Sequence, residues 1–449
     1  MRRAPDDPVS PPIEPGRPAD GRQSEPNPAR ISFFYPNPHH YPMNPSRLFT
    51  ASRVALITTA MCFAIRGGAV GAWTTEFKLN LEQVGWINGT AFWGFTLAMI
   101  FGGPLVDSLG FRRILGLAFV GHLAGIVLTM FAWNYTSLYV GTLLFGIANG
   151  SVEAACNPLI ATLYPNDQTT KLNGFHVWFP GGLVIGGLLA YFFGENGLSW
   201  KAQFATMLVP LVVYGFMFLG QQFPQTERVQ RGESTGSMFK ACLAPGFLLM
   251  VACMLLTAST ELGSNQWIPD ILSHAGVKGI LVFVLINGIM AVGRMFAGPF
   301  VHRFSPIGML VGSAILSALG LYAMSHSTGV MLFGAATIFA FGVCFFWPTM
   351  LGFVSENYPK TGALGLAIMG GAGMLSVSFV LPIIGRWYDK GIALRLPAGA
   401  TATSIPPAQL ADIQAAAGLH ALGNVAVLPV ALTVVFILIA LLRKKPAAA

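Results

Sequence analysis

The sequence contains little charge. Asp, Glu, Lys and Arg make up only 10% of its 449 residues, whereas hydrophobic residues make up 54%. The mean hydropathy is +0.62, which is too apolar for a water-soluble chain with the surface that this length implies. The composition therefore predicts a membrane protein.

Cysteine is also scarce, and its five copies lie within or at the start of apolar segments, at Cys62, Cys156, Cys242, Cys253 and Cys344. None has the paired spacing of a metal site, so we interpret them as small buried side chains. The sequence lacks a nucleophile and base pair, a metal-ligand cluster and a phosphate-binding loop. No catalytic residue, metal or cofactor is expected, and an enzyme is not predicted.

The net charge of +8 does not form a basic face. The basic residues lie singly or in pairs between apolar runs, so nucleic acid is not an expected partner. They are about twice as frequent on one side of the runs as on the other, and the richer side is normally cytoplasmic. We expect a multi-pass protein of the cell inner (plasma) membrane with both termini in the cytoplasm.

Twelve apolar segments of roughly 20 residues, the length that crosses about 30 Å of hydrocarbon, follow one another from residue 52 to residue 442. Each is apolar throughout, unlike the alternating strand of a barrel. The predicted fold is all-α and integral to the membrane, with twelve transmembrane helices in two pseudo-symmetric six-helix bundles. The expected parts are a disordered Pro-rich cytoplasmic tail (1–46), an N-terminal bundle (47–222), a cytoplasmic linker (223–242) and a C-terminal bundle (243–445) containing an outer loop (387–418).

An internal repeat supports the two bundles. The sequence FGGPLVD at 101–107 is echoed by FAGPFVH at 296–302, an offset of 195 residues. Tyr-Pro pairs at 164–165 and 358–359 end the predicted fourth and tenth helices. A duplicated unit of six helices is the simplest account, and its pseudo-twofold axis places a binding site near the middle of the membrane.

The loop after the second helix carries a known motif. Its glycines and charged residues are Gly103, Asp107, Gly110, Arg112 and Arg113. This spacing resembles the loop signature of the major facilitator superfamily, a class of secondary transporters with twelve membrane helices. The resemblance implies transport by alternating access. It also implies a gating role for Asp107, Arg112 and Arg113, which would hold the inner side closed through ion pairs and helix-end dipoles.

Four ionisable side chains lie deep in the predicted helices, at Arg66, Glu153, Glu261 and Arg294. A charge at such depth costs at least ~2.5 kcal/mol on insertion scales, so each is expected to face a cavity and to have a partner. Glu153 and Arg66 have similar depths and could pair, and movement of that partner would let Glu153 take up a proton. Glu153 is the predicted proton-coupling residue, with a structural ion pair as the alternative. Arg294 is expected to be a gate or packing residue.

The fourth and fifth helices, at 150–158 and 172–182, resemble the fucose–proton symporter family. In this chain, as in that family, the fourth helix has a glutamate four residues before an Asn-Pro pair. The fifth helix begins with a Leu-Asn pair that is followed by a run of aromatic residues and glycines. The resemblance implies that Glu153 binds sugar, proton or both, and that a neutral hexose or deoxyhexose enters with a proton. That family has an aspartate in its first helix, where this chain has Arg66.

Other polar side chains at these depths are candidate ligands. The seventh helix places an acid, two amides and an indole within two turns, a set that suits hydroxyl groups and the face of a sugar, although it also suits an interfacial belt. Polar residues in membrane helices can instead join neighbouring helices. The predicted substrate-binding residues are Arg66, Asn157, Asn173, His176, Glu261, Asn265, Gln266, Trp267 and Asn287.

The first functional hypothesis is proton-coupled symport of a neutral sugar by a monomer in the lipid bilayer. The second is transport of organic anions such as sugar acids, with Arg66 as a bidentate counter-ion. A third is a non-transporting sensor or a lipid-handling protein on the same scaffold.

Overall fold

The computed structural model describes residues 43–79, 81–230, 232, 235–401 and 404–442. Within these ranges the regular secondary structure is helical, without a β-strand. The tail predicted at 1–46 lies almost wholly outside the described residues.

The N-terminal half contains six membrane helices. The first four are Pro45–Glu76, Leu81–Leu109, Phe111–Met130 and Tyr135–Leu163. The fifth consists of Gln168–His176 and Trp178–Glu195, and the sixth of Trp200–Thr206 and Leu208–Phe218. Two short helices, Glu227–Gln230 and Thr235–Cys242, lie in the predicted linker.

The C-terminal half repeats this arrangement. The seventh helix consists of Pro245–Ala258, a π-helical turn at Ser259–Gly263 and Ser264–His274, and the eighth begins as Gly279–Met295. The helical segment Ala297–Ser325 breaks at Ser305 (φ 60°, ψ 160°), so residues 297–304 complete the eighth helix and residues 306–325 form the ninth. The tenth is Met331–Val343 with Phe346–Asn357, the eleventh Gly362–Ala393, and the twelfth Pro407–Val425 with Val427–Leu442.

Eleven helices of the described chain are long and apolar enough to cross a membrane, and Gly279–Met295 is a shorter apolar helix. Its continuation through residues 297–304 makes the twelfth crossing. The predicted all-α fold with twelve membrane helices is therefore confirmed.

The internal repeat is also visible in the backbone. Gly110 joins the second and third helices with φ 81° and ψ 159°, and Ser305, at the same offset of 195 residues, has φ 60° and ψ 160°. The tenth helix ends at Tyr358 (φ −126°, ψ 50°) much as the fourth ends at Tyr164 (φ −132°, ψ 62°). The two halves thus share turn geometry as well as sequence.

The segment expected as an outer loop at 387–418 is mostly helical. The eleventh helix continues to Ala393, and the twelfth begins at Pro407. Residues 407–418 are rich in alanine, which favours helix, and Ala417 and Leu419 are buried. Hydropathy identifies long apolar spans. Residues 407–418 mix alanine with Gln and Asp, so hydropathy did not predict that they extend the twelfth helix.

The halves meet closely along the second and eleventh helices. A Cβ atom at Gly103 would lie 2.6 Å from the Cβ of Ala367 and 3.1 Å from the Cα of Leu364. Contacts this short are not tolerated between ordinary side chains, so the glycine allows the two helices to touch near the predicted inner side.

Candidate functional site

Five polar side chains converge between the two halves. Glu153 and Asn157 come from the fourth helix, His176 from the fifth, Glu261 from the seventh and Arg294 from the eighth. Each is at most 2% exposed. Buried charges are stable only with partners, so the contacts among these groups define the site.

The N-terminal half contributes a hydrogen-bonded cluster. Asn157 Nδ2 donates to Glu153 Oε2 at 3.0 Å, and the i,i+4 spacing on one helix face permits this contact. His176 Nε2 lies 3.1 Å from Asn157 Oδ1 and 3.9 Å from Glu153 Oε2. An amide oxygen can only accept, so His176 carries its proton on Nε2.

The C-terminal half contributes a buried ion pair. Arg294 Nη2 lies 2.8 Å from Glu261 Oε1. Arg294 Nε donates to the carbonyl oxygen of Cys344, and Nη1 donates to the carbonyl oxygen of His176 at 3.2 Å. Because His176 belongs to the other half, the guanidinium joins the two halves as well as neutralising Glu261.

The backbone of the seventh helix is unusual where it carries Glu261. The π-helical turn Ser259–Gly263 surrounds this residue, and single π turns often occur at functional sites. Glu261 Oε2 is buried without a hydrogen-bond partner among the described residues. Arg294 therefore engages one oxygen of this carboxylate.

These ionisable groups line a central cavity. Its walls are completed by Phe179, Leu262, Trp347 and Met374, and its volume is about 10 Å³. That is room for about one water molecule. The closed arrangement must open before a substrate can enter.

The amides and the indole predicted in the outer part of the seventh helix do not line this cavity. Asn265 and Asn287 bond to each other at 3.2 and 3.4 Å, which joins the seventh and eighth helices. Trp267 Nε1 donates to the carbonyl oxygen of Leu381 at 3.3 Å, and Gln266 is exposed. A ligand role for these four residues stays a prediction.

Arg66 and Asn173 also lie away from the lining. Arg66 is 3% exposed on the first helix, whereas Glu153 is hydrogen-bonded to Asn157 and lies 3.9 Å from His176. Asn173 Nδ2 donates to Thr169 and to Thr349 Oγ1, the latter at 3.3 Å, so it joins the fifth and tenth helices. Their predicted roles in binding remain untested.

Three of the predicted gating residues, Asp107, Arg112 and Arg113, lie near helix ends on the side predicted to be cytoplasmic, whereas Arg294 lies in the central site. Arg112 Nη2 donates to the carbonyl oxygen of Gln221, Asp107 is half-buried and Arg113 is exposed. Sequence reasoning missed a contact between the halves nearby. Glu356 Oε1 accepts from Thr169 N at 3.1 Å and from Thr169 Oγ1 at 2.6 Å.

A signal for this contact was present in the sequence. Glu356 is an acid in the last turn of the tenth helix, two residues before the second Tyr-Pro pair. The wall residue Trp347 was also missed, because it lies in an apolar run of the tenth helix between Phe346 and Pro348 and carries no charge that would distinguish it.

Comparison with known proteins agrees with this architecture. Residues 54–381 match the sequence profile of the Major Facilitator Superfamily. The 3-(3-hydroxy-phenyl)propionate transporter of Escherichia coli (strain K12) is 27% identical over 325 residues, which are 65% of this chain and 77% of that protein. The hexuronate transporter of Bacillus subtilis (strain 168) is 23% identical over 328 residues, 65% and 75% of the two chains.

Solved structures share the fold. The proton:xylose symporter XylE, bound to 6-bromo-6-deoxy-D-glucose, has a TM-score of 0.71 at 14% identity over 87% of this chain and 94% of its own. The outward conformation of FucP has a TM-score of 0.63 at 15% identity over 85% and 98%. These identities establish the fold alone, and at that level the predicted likeness to sugar porters is confirmed. Because the profile match runs from the first helix to the eleventh, the chain belongs to the Major Facilitator Superfamily and is a multi-pass membrane transporter, not an enzyme.

Proposed function

We propose that the protein is a proton-coupled transporter of small organic acids that works by alternating access. The observation that carries this proposal is the buried pair of Arg294 and Glu261, 2.8 Å apart on the wall of the central cavity. A guanidinium binds carboxylates through a planar fork. A substrate carboxylate would therefore compete with Glu261 for Arg294.

This competition supplies a reason for proton coupling. When substrate takes the place of Glu261 on Arg294, the freed carboxylate lies in a closed, mostly apolar site. An unpaired buried charge is costly, so Glu261 takes up a proton at that step. One anion and one proton then enter together, and the charge of the site is unchanged.

Arg294 would also link binding to the movement of the halves. Its Nη1 donates to the carbonyl oxygen of His176 across the interface. A ligand that turns the guanidinium weakens this contact, and opening about the central site follows the pattern of transporters built from repeats. Glu153 and His176 line the same cavity and, together with Asn157, would bind hydroxyl groups of the substrate. Glu153 is the proposed proton-coupling residue because it would pass the proton to Glu261.

Two relatives support the class of cargo. The 3-(3-hydroxy-phenyl)propionate and hexuronate transporters are named for substrates with a carboxylate and at least one hydroxyl. In the sequence-based hypothesis of organic-anion transport the counter-ion was Arg66. Arg294 takes this role in the present proposal because it lines the cavity. We also propose a monomer in the inner (plasma) membrane with both termini in the cytoplasm, on the distribution of basic residues.

Symport of a neutral sugar is the second candidate. It is favoured by the cluster of Glu153, Asn157 and His176, in which an acid, an amide and an imidazole lie within 3.9 Å of one another. Such a cluster can bind hydroxyl groups, and Glu153 in it can carry a proton.

The deciding experiment is uptake into proteoliposomes with an imposed inward proton gradient. Labelled 3-(3-hydroxyphenyl)propionate, a hexuronate, xylose and fucose would be offered in parallel, with an ionophore as control. Saturable acid uptake that collapses with the gradient supports the first proposal. Uptake of a neutral sugar that no acid inhibits overturns it in favour of the second.

A further inference from the structure

An apolar groove opens between the third and sixth helices, far from the central cavity. It has a volume of about 600 Å³. Its walls come from residues 112–119 and 212–223, among them Phe119, Val212, Phe216 and Leu219. Phe216 is 67% exposed and Leu219 is 71% exposed, so this surface faces outward from the bundle.

Charge is confined to one end of the groove. Among the described residues that line it, Arg112 is the charged one. Arg47 lies beside the same end, since it donates to the carbonyl oxygens of Phe216 and Met217 at 3.1 and 2.9 Å. Arg112 uses one of its donors on Gln221, and a guanidinium has five.

The groove therefore has an apolar part and a cationic mouth. From Arg112 to Phe119 it follows about 10 Å of helix at ~1.5 Å per residue. The mouth lies where the third helix begins and the sixth ends, on the side that carries the excess of basic residues. That side faces the leaflet in which anionic lipids attract basic groups.

We propose that this groove is a specific site for an anionic phospholipid, with an acyl chain between the third and sixth helices and the phosphate on Arg112 and Arg47. The bound lipid would fix the inner end of the sixth helix, where Arg47 already holds carbonyl groups of the last turn and Arg112 holds that of Gln221 just beyond it. The site is separate from the substrate cavity, so it does not depend on the cargo.

Two variants test the two ends of the site. Arg112→Gln removes the charge. Gly116→Leu fills the apolar part, because a Cβ atom at Gly116 meets nothing within 4 Å and the substitution causes no clash at the backbone. The matched controls are Arg303→Gln, an exposed arginine at the inner end of the other half, and Gly312→Leu, a glycine of the ninth helix whose Cβ would also meet nothing within 4 Å.

The measurement is lipid binding to delipidated protein by native mass spectrometry, with thermal unfolding in parallel. Phosphatidylglycerol, phosphatidylcholine with the same chains, and inorganic phosphate are the probes. We expect phosphatidylglycerol to bind the parent protein selectively, with binding roughly fivefold weaker in Arg112→Gln and also weakened in Gly116→Leu, while both controls match the parent.

Equal binding of the two lipids to the parent, or unchanged selectivity in Arg112→Gln, overturns the proposal. Stabilisation by inorganic phosphate alone would show an anion site without a lipid chain, and also overturns it. If Gly116→Leu does not fold, Arg112→Gln and the comparison of headgroups still decide.

Discussion

Arg294 donates through Nη1 to the carbonyl oxygen of His176 at 3.2 Å, and this hydrogen bond joins the two halves of the transporter beside the central cavity. The same guanidinium holds Glu261 through Nη2 at 2.8 Å. One side chain therefore contacts both the carboxylate of the cavity and the backbone of the other half. A ligand that displaces Glu261 also disturbs the interface.

Arg294→Lys is expected to abolish most transport. The three groups held by Arg294 lie in different directions, and a lysine ammonium cannot reproduce the planar fork. Uptake below a tenth of the parent rate and a loss of roughly 3 kcal/mol in stability are expected, as for a broken buried pair. Proteoliposome uptake and thermal unfolding measure these effects, and Arg303→Lys is the control. Near-normal uptake by Arg294→Lys would exclude a bidentate role.

Glu153→Gln is expected to separate accumulation from exchange. The glutamine oxygen can still accept from Asn157 Nδ2, so the cluster keeps its shape, but the side chain cannot carry a proton. Gradient-driven accumulation should disappear while exchange of labelled for unlabelled substrate continues. Asp270→Asn, at a more exposed acid of the seventh helix, is the control. Loss of both activities, or of neither, contradicts the coupling role.

Glu356→Ala is expected to open the inner side. The substitution removes both hydrogen bonds from Thr169, which link the fifth and tenth helices between the halves. Each such bond to a charged group contributes about 1.5–3 kcal/mol, so the loss of even one bond should shift the equilibrium between the closed and the inward-open state by at least about tenfold. Labelling of cysteines introduced along the inner path, or pulsed electron resonance distances, measures this. Asn357→Ala, at the neighbouring residue, is the control, and an unchanged population would remove Glu356 from the gate.

Gly103→Val tests the close contact between the second and eleventh helices. A Cβ added at this position would lie only 2.6 Å from the Cβ of Ala367. Valine should therefore force the two helices apart and favour the inward-open state. Gly288→Val in the eighth helix is the matched control, because a Cβ there meets nothing within 4 Å. The measurement is the labelling of cysteines introduced along the inner path. Labelling that changes equally in both variants would show a nonspecific effect of valine.

Ser305→Gly is expected to stabilise the protein. Ser305 has φ 60° and ψ 160°, a region that costs a residue with a side chain about 1–3 kcal/mol. Glycine adopts it freely but loses more entropy on folding, so a net gain of about 1 kcal/mol is expected. Thermal unfolding measures it. Gly110→Ala, at the repeat-related position, should be destabilised by a similar amount, and a lower unfolding temperature for Ser305→Gly would contradict the reasoning.

The sequence predicts the number of helices because each crossing needs a long apolar run, and hydropathy reports such runs directly. It also predicts the depth of Glu153, Glu261 and Arg294, since charges in apolar runs must face protein. Depth does not reveal which helix face meets which neighbour. Arg66 and Glu153 have matching depths, yet the buried pair that lines the cavity joins Glu261 to Arg294.

The π turn explains why the seventh helix was difficult to interpret. Two turns containing Glu261, Asn265, Gln266 and Trp267 look like one polar face in the sequence. In the structure, Glu261 faces the cavity, Asn265 faces Asn287 and Gln266 is exposed. A local change of helix type alters the direction of every side chain beyond it, and neither composition nor spacing predicts that change.

The same π turn contains one residue more than a regular α-helical turn would at this place in the seventh helix. Returning Ser259–Gly263 to α-helical geometry would rotate the outer segment Ser264–His274 by about 100° and advance it by ~1.5 Å, because these are the increments of one helical residue. Such a slip would carry Asn265 away from Asn287 while the inner segment stayed in place. The helix can thus change the outer wall of the transport path by screw motion within itself, without tilting as a rigid rod.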